Sequence, residues 1–117
     1  MATRVAAIAL ALLGSAAAQA QGVGGTYSVN GTNFDGSSYS GTAQITPSGS
    51  SCRIVRRTGQ TSSWGTCMLA NRAFAAHYRL GNEWGLIVYE LLGDGSLKGW
   101  WTIDGRNGVG TEVLTPQ

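Results

Sequence analysis

The chain reads as all-β: an antiparallel up-and-down meander of eight short strands closed into a small barrel, with a two-sheet β-sandwich as the alternative. Three observations predict it. First, one stretch occurs twice. It reads Gly25-Thr-Tyr-Ser-Val-Asn-Gly31 with a return through Gly41-Thr-Ala-Gln-Ile-Thr-Pro47, and again Gly99-Trp-Trp-Thr-Ile-Asp-Gly105 with a return through Gly110-Thr-Glu-Val-Leu-Thr-Pro116. Each copy is a strand, an Asn- or Asp-Gly turn region and a returning strand stopped by Pro, which is how a β-hairpin reads. Matching hairpins at both ends become neighbours when the sheet closes, and closure removes the edges a flat meander would expose. Second, turn signals recur about every 10 residues, too closely for a crossover helix. Third, Gly is abundant (18) and Pro scarce (2). Thr, Ser, Val, Tyr and Trp are common, and helix formers are thin after residue 21.

Taken in order, residues 1–20 read as an export signal. Arg4 supplies the positive end, residues 5–13 the apolar core, and Ala18-Gln19-Ala20 the cleavage site. The apolar run is shorter than the ~20 residues a bilayer-spanning helix needs. Residues 21–117 read as one domain with room for one small core. Residues 21–24 are a flexible lead. Strand one is expected over residues 26–30 and strand two over 39–46, where Tyr39, Gly41, Ala43 and Ile45 alternate with polar residues and Pro47 breaks the strand. Residues 52–57 and 62–69 form a hairpin, and residues 73–80 and 84–91 form the next, about Gly81-Asn82. Residues 97–104 and 110–115 complete the set. Strand six is apolar on both faces, with Trp84, Leu86 and Val88 against Ile87, Tyr89 and Leu91, which points to a covered surface or a homo-oligomer.

Cys52 and Cys67 are an even pair in a chain read as exported, so a disulfide is expected. A hairpin turning at Gly59-Gln60 sets them directly opposite one another, within the separation a disulfide accepts.

The charge is a formal +2, one lower without Arg4, too weak a balance to argue for nucleic acid. His77 is the single histidine, and with two oxidised cysteines it offers neither a zinc ligand set nor a catalytic base with partners. No nucleophile elbow, phosphate loop or dinucleotide motif occurs. No cofactor, metal site or catalytic residue is therefore expected, and the chain is read as no enzyme. The carboxylates that invite a hydrolase alternative are Glu90 and Glu112, each within a strand. Asp35, Asp94 and Asp104 fall at turns, where Asp serves local hydrogen bonding. Binding is assigned to tryptophans and arginines. Trp101 falls on the apolar face of strand seven and Trp100 on the polar face. Trp64, Trp84 and Trp100 are the candidate anchors for a ligand. Arg53, Arg56 and Arg57 crowd one hairpin; they either keep it soluble or form an anion-binding corner, although alternation sends Arg56 to the opposite face from the other two.

The paired stretches Gly-Thr-Tyr-Ser-Val-Asn-Gly-Thr-Asn and Tyr39-Ser-Gly-Thr-Ala-Gln-Ile-Thr-Pro, with the terminal Gly-Thr-Glu-Val-Leu-Thr-Pro, resemble small exported proteobacterial β-domain proteins of no established function. In architecture the chain also resembles the calycin group, which includes avidins, and eight-stranded periplasmic metalloprotease inhibitors with one disulfide. The avidin likeness rests on Asn30, Trp64, Trp100 and Trp101 as residue types of a biotin pocket, and the inhibitor likeness on the lead at residues 21–25. These resemblances imply a periplasmic or secreted binding module that holds a small ligand or glycan at the barrel mouth. The alternative they imply is a protein-interaction or protease-inhibitor domain.

Overall fold

A computed structural model describes residues 22–117; the expected export signal lies outside the described residues. The strands are β1 (Gly25–Thr32), β2 (Ser38–Ser48), β3 (Ser51–Thr58), β4 (Thr61–Ala70), β5 (Ala73–Leu80), β6 (Glu83–Leu91), β7 (Leu97–Ile103) and β8 (Gly110–Pro116). Each pairs antiparallel with the next, and β8 pairs back onto β1, closing an eight-stranded barrel. The sandwich alternative is thereby excluded. The two repeated hairpins, β1–β2 and β7–β8, are neighbours across the seam. Beyond β8, Gln117 continues it by donating its backbone N–H to Thr26 O (3.0 Å) and its side-chain amide to Ser28 Oγ (3.0 Å).

Strict alternation decides what points inward. On β4, for example, Ser63, Gly65, Cys67 and Leu69 are buried while Trp64, Thr66 and Met68 are exposed. Cys52 pairs with Cys67 as the hairpin register requires, and the two are joined by a disulfide with Cα atoms 4.9 Å apart. Such bonds are common in oxidising, non-cytoplasmic compartments and rare in the cytosol.

The interior divides along the barrel axis. At the end bearing the β2–β3, β4–β5 and β6–β7 turns, Ile45, Ile54, Cys52, Cys67, Leu69, Phe74, Leu97 and Leu114 fill the lumen. Val23 closes that end. It is fully buried, and its carbonyl accepts a 2.6 Å hydrogen bond from the Tyr27 hydroxyl. The expected flexible lead is thus corrected from residue 23 onward: an apolar side chain beside an open barrel end gains more by filling it than by staying in water.

Pro47 does not end β2. The strand continues to Ser48, with Pro47 opposite Cys52. On its other side β1 begins at Gly25, opposite Ile45, so β2 overhangs there and no neighbour waits for the N–H that Pro lacks.

Candidate functional site

The other half of the lumen is polar, and its centre is Glu112. One inward row of residues runs Tyr89, Gly99, Glu112, Gly31, Tyr39 across β6, β7, β8, β1 and β2, each directly opposite the next. The two glycines make the row possible. A Cβ on Gly99 would meet the Tyr89 ring, and one on Gly31 the Tyr39 ring. With both absent, the flanking tyrosines lean over their neighbours. Tyr39 donates to Glu112 Oε1 (2.6 Å) and Tyr89 donates to Oε2.

Arg56 reaches Glu112 from β3, across the lumen. Its Nε donates to Oε2 (3.1 Å) and its Nη2 to Oε1, a two-point pair with both side chains almost wholly buried. Nη1 donates to Ser63 Oγ (3.1 Å), the residue opposite Arg56 on β4. The guanidinium also lies 5.2 Å from the centre of the Tyr78 ring, whose hydroxyl donates to Thr102 O (3.0 Å). Among the described residues, one N–H on each Nη is left without an acceptor.

Above this floor the barrel opens into a cavity of about 340 Å³. Arg56, Ser63 and Tyr78 form its base, Leu80, Ile103 and Trp101 its apolar wall, and the Thr58–Thr61 turn its rim. Phe34, from the β1–β2 loop, stacks on Trp101 at 4.7 Å between ring centres. Arg106 and Glu83 form an exposed ion pair at the rim through two contacts, 2.8 and 2.6 Å. Two ion pairs, one beneath the cavity and one beside its mouth, leave it close to neutral.

Burial sets the titration of this cluster. It opposes the Arg56 charge, but the adjacent Glu112 carboxylate overcomes it and holds the guanidinium above its ordinary value. Burial pushes Tyr78 up to about 12. Tyr39 and Tyr89 are raised further, first by burial and then by the adjacent Glu112 carboxylate. The tyrosines are therefore neutral donors at physiological pH, and the floor offers a fixed set of hydrogen-bonding groups. Asp35 and Asp94 act locally, as their turn positions predict: each accepts from the backbone and hydroxyl of the serine two residues on, which lowers its pKa.

The residues singled out from sequence do not converge. Arg56 is at the base of the cavity, whereas Arg53 and Arg57 stand exposed on the outer wall, so the three form no common corner. Trp64, Trp84 and Trp100 are 48%, 39% and 47% exposed, also on the outer wall and away from the cavity. Arg53 sits over the Trp64 ring at 4.7 Å, and His77 beside Trp84 at 5.5 Å. Asn30 is exposed on β1, so of the biotin-pocket residue types only Trp101 lines the cavity. Glu90 points outward opposite Lys98 while Glu112 points inward; the barrel wall separates the two carboxylates. Among the described residues no three His, Cys, Asp or Glu side chains gather as a metal site. Tyr39, Ser63, Tyr78 and Tyr89 were missed as site residues. Their signal was a polar or hydroxylated residue in an inward register position, readable only once the register across every strand pair is known.

No protein-family model matches the chain, and no curated protein matches it. Solved structures do. A redesigned β-barrel, mFAP1, bound to DFHBI superposes with a TM-score of 0.73 at 20% identity, over 83% of this chain and 97% of that one. EF1p2_mFAP2b, also bound to DFHBI, gives 0.74 at 18% identity over 88% and 100%. A de novo designed fluorescence-activating β-barrel gives 0.66 at 13% identity over 84% and 96%. At these identities the likeness is one of fold: a closed eight-stranded antiparallel barrel.

Proposed function

We propose that the protein is an exported, non-enzymatic binding module, periplasmic or secreted, that holds a small planar ligand in the mouth of its barrel. The observation that carries the reading is the division of the lumen into one half packed with apolar side chains and one half open over a polar floor. A barrel built only for stability gains nothing from a buried ion pair beneath an open cavity, since such pairs rarely stabilise more than apolar packing does. The cavity has the size and composition of a small-molecule site, with apolar walls and a few fixed polar groups. Trp101 supplies a flat wall for stacking, and the free N–H groups of Arg56 with the hydroxyls of Ser63 and Tyr78 supply the hydrogen bonds. Near-neutrality favours an uncharged or weakly acidic ring system with acceptors at its edge. The likeness to barrels that bind DFHBI supports the reading at the level of fold.

The test is fluorescence titration of the oxidised protein with a panel of planar aromatic compounds and, separately, of glycans. The expected result is a saturable one-to-one change with the aromatic class, weakened roughly tenfold by Trp101→Leu. Saturable binding that Trp101→Leu leaves unchanged would move the site elsewhere, and no response to either class would sink the proposal.

A further inference from the structure

The outer surface of the barrel is as divided as its lumen. Over β8, β1 and β2 the outward residues are Thr111, Val113 and Thr115, then Thr26, Ser28, Asn30 and Thr32, then Ser40, Thr42, Gln44 and Thr46, uncharged and almost all hydroxyl or amide. Over β4 to β7 the register builds an apolar band instead. Met68, Ala75, Val88 and Trp100 lie directly opposite one another in a row across four strands. Leu86 lies one alternate step above, and Trp64 and Trp84 flank Arg79 one step beyond. Met68, Leu86 and Val88 are each about half exposed, at 54%, 51% and 51%. Beside Trp100, a shallow hollow bounded by Arg72, Ala73, Val88 and Glu90 indents the band.

The charges sit on the same side. Arg53 and Arg57 flank the band on β3, Arg79 lies within it, and Arg72 and Lys98 mark its lower margin. Among the described residues the outward carboxylates of this wall are Glu90, facing Lys98, and Asp104, just past β7 with its backbone N–H on Trp84 O (2.9 Å), so the five basic residues outnumber them. Aromatic and aliphatic side chains ringed by arginines match a surface whose interior is apolar and whose outer layer is anionic. A second copy of the chain matches less well. Laid against its own copy, this face brings its arginines toward like charges, a juxtaposition that an anionic headgroup layer does not impose. Spanning a bilayer is contradicted by the Ser/Thr exterior of β8, β1 and β2, since a membrane-crossing barrel is apolar all round.

We propose that the β4–β7 wall is a peripheral docking surface for an anionic lipid layer, with Trp100, Val88, Leu86 and Met68 entering the acyl boundary and Arg53, Arg72 and Arg79 meeting the headgroups. The oxidised protein is mixed with vesicles of phosphatidylcholine alone and of phosphatidylcholine with phosphatidylglycerol, and partition is followed by co-sedimentation and by tryptophan emission. Binding is expected at least tenfold tighter to the anionic vesicles, accompanied by a blue shift and weakened by salt. Val88→Ser and Trp100→Ser each lower it roughly tenfold, and Arg53→Gln or Arg79→Gln roughly fivefold at low ionic strength. All are surface changes, and an unaltered thermal midpoint verifies that each variant is folded. Equal partition into both vesicle types, or into neither, overturns the proposal. So does a concentration-dependent dimer, formed without lipid, that Val88→Ser dissociates, or binding to a soluble polyanion such as heparin with none to vesicles.

Discussion

Removing the charge of Glu112 while leaving Arg56 in place tests the reading of the lumen most directly. Glu112 accepts from Arg56 twice and from Tyr39 and Tyr89 once each, and Arg56 and Glu112 are both nearly inaccessible to water. Glu112→Gln keeps the volume but turns an NH₂ group toward guanidinium donors and strands a buried cation. Breaking one half of a buried pair costs about 3–5 kcal/mol, a large part of the 5–15 kcal/mol typical of a domain. Arg56→Met leaves the carboxylate its two tyrosine donors but not its counter-charge, and belongs in the same range. In Arg56→Met/Glu112→Gln no charge remains, and the new side-chain amide accepts from one tyrosine hydroxyl through its oxygen and donates its NH₂ to the oxygen of the other. The double variant is therefore expected to be more stable than the sum of the singles by at least about 2 kcal/mol. Denaturant unfolding at neutral pH with the disulfide intact measures this cycle. Where a single variant is unfolded in water, recovery of the fold in the double variant carries the same information. Additivity within about 0.5 kcal/mol, the behaviour of independent sites, would refute the claim that one network organises the floor.

Alkaline pH should unfold the barrel cooperatively. Tyr27, Tyr39, Tyr78 and Tyr89 are all raised above 10.0 in the native state. Between that value and the native pKa, about 12 for Tyr78, the unfolded chain has lost protons that the folded one keeps. Stability is then complete below pH 10 and falls above it, by up to about 1.4 kcal/mol per pH unit for each tyrosine. Phenolate absorbance that rises gradually, without accompanying loss of β circular dichroism, would contradict the burial of these rings. The disulfide closes a separation of 15 residues, so Cys52→Ser/Cys67→Ser should lower stability by about 3 kcal/mol in denaturant titration. Val23→Ala removes two buried methyl groups from the closed end and should cost about 2 kcal/mol; an unchanged unfolding midpoint would return residue 23 to the free lead read from sequence.

What could be read from sequence was what hairpins fix locally. Turn chemistry at Gly59-Gln60 sets the Cys52–Cys67 pairing, and the repeated Gly-Thr hairpins set which strands meet at the seam, so the barrel and its disulfide follow from short-range signals. The site does not, because it is assembled by registers across several strand pairs. Tyr39 and Tyr89 meet at Glu112 only through the β1–β8 and β7–β8 offsets, and a slip of one residue in either would turn Glu112 outward. Alternation did place Trp100 and Trp101 on opposite sides of the wall, and Arg56 apart from Arg53 and Arg57. It did not show that the inward arginine would meet a carboxylate, or that the outward tryptophans would line up with Met68 and Val88. The stop assigned to Pro47 failed for a related reason: a proline's cost depends on whether a neighbouring strand is present to receive its N–H, and residue type alone does not say.

The seam between β1 and β8 also bears on how the chain folds as it is made. Every other strand pair joins neighbours in sequence and can zip as soon as both have emerged, but β1 must wait for β8, synthesised after the other seven. During that interval β1 presents an unpaired edge, and the slow closing of so non-local a contact lengthens its exposure. The Thr, Ser, Asn and Gln that coat the outer faces of β8, β1 and β2 then act as a chaperone written into the sequence. They keep the waiting strands hydrated at the stage when adhesive apolar residues would invite pairing with another molecule.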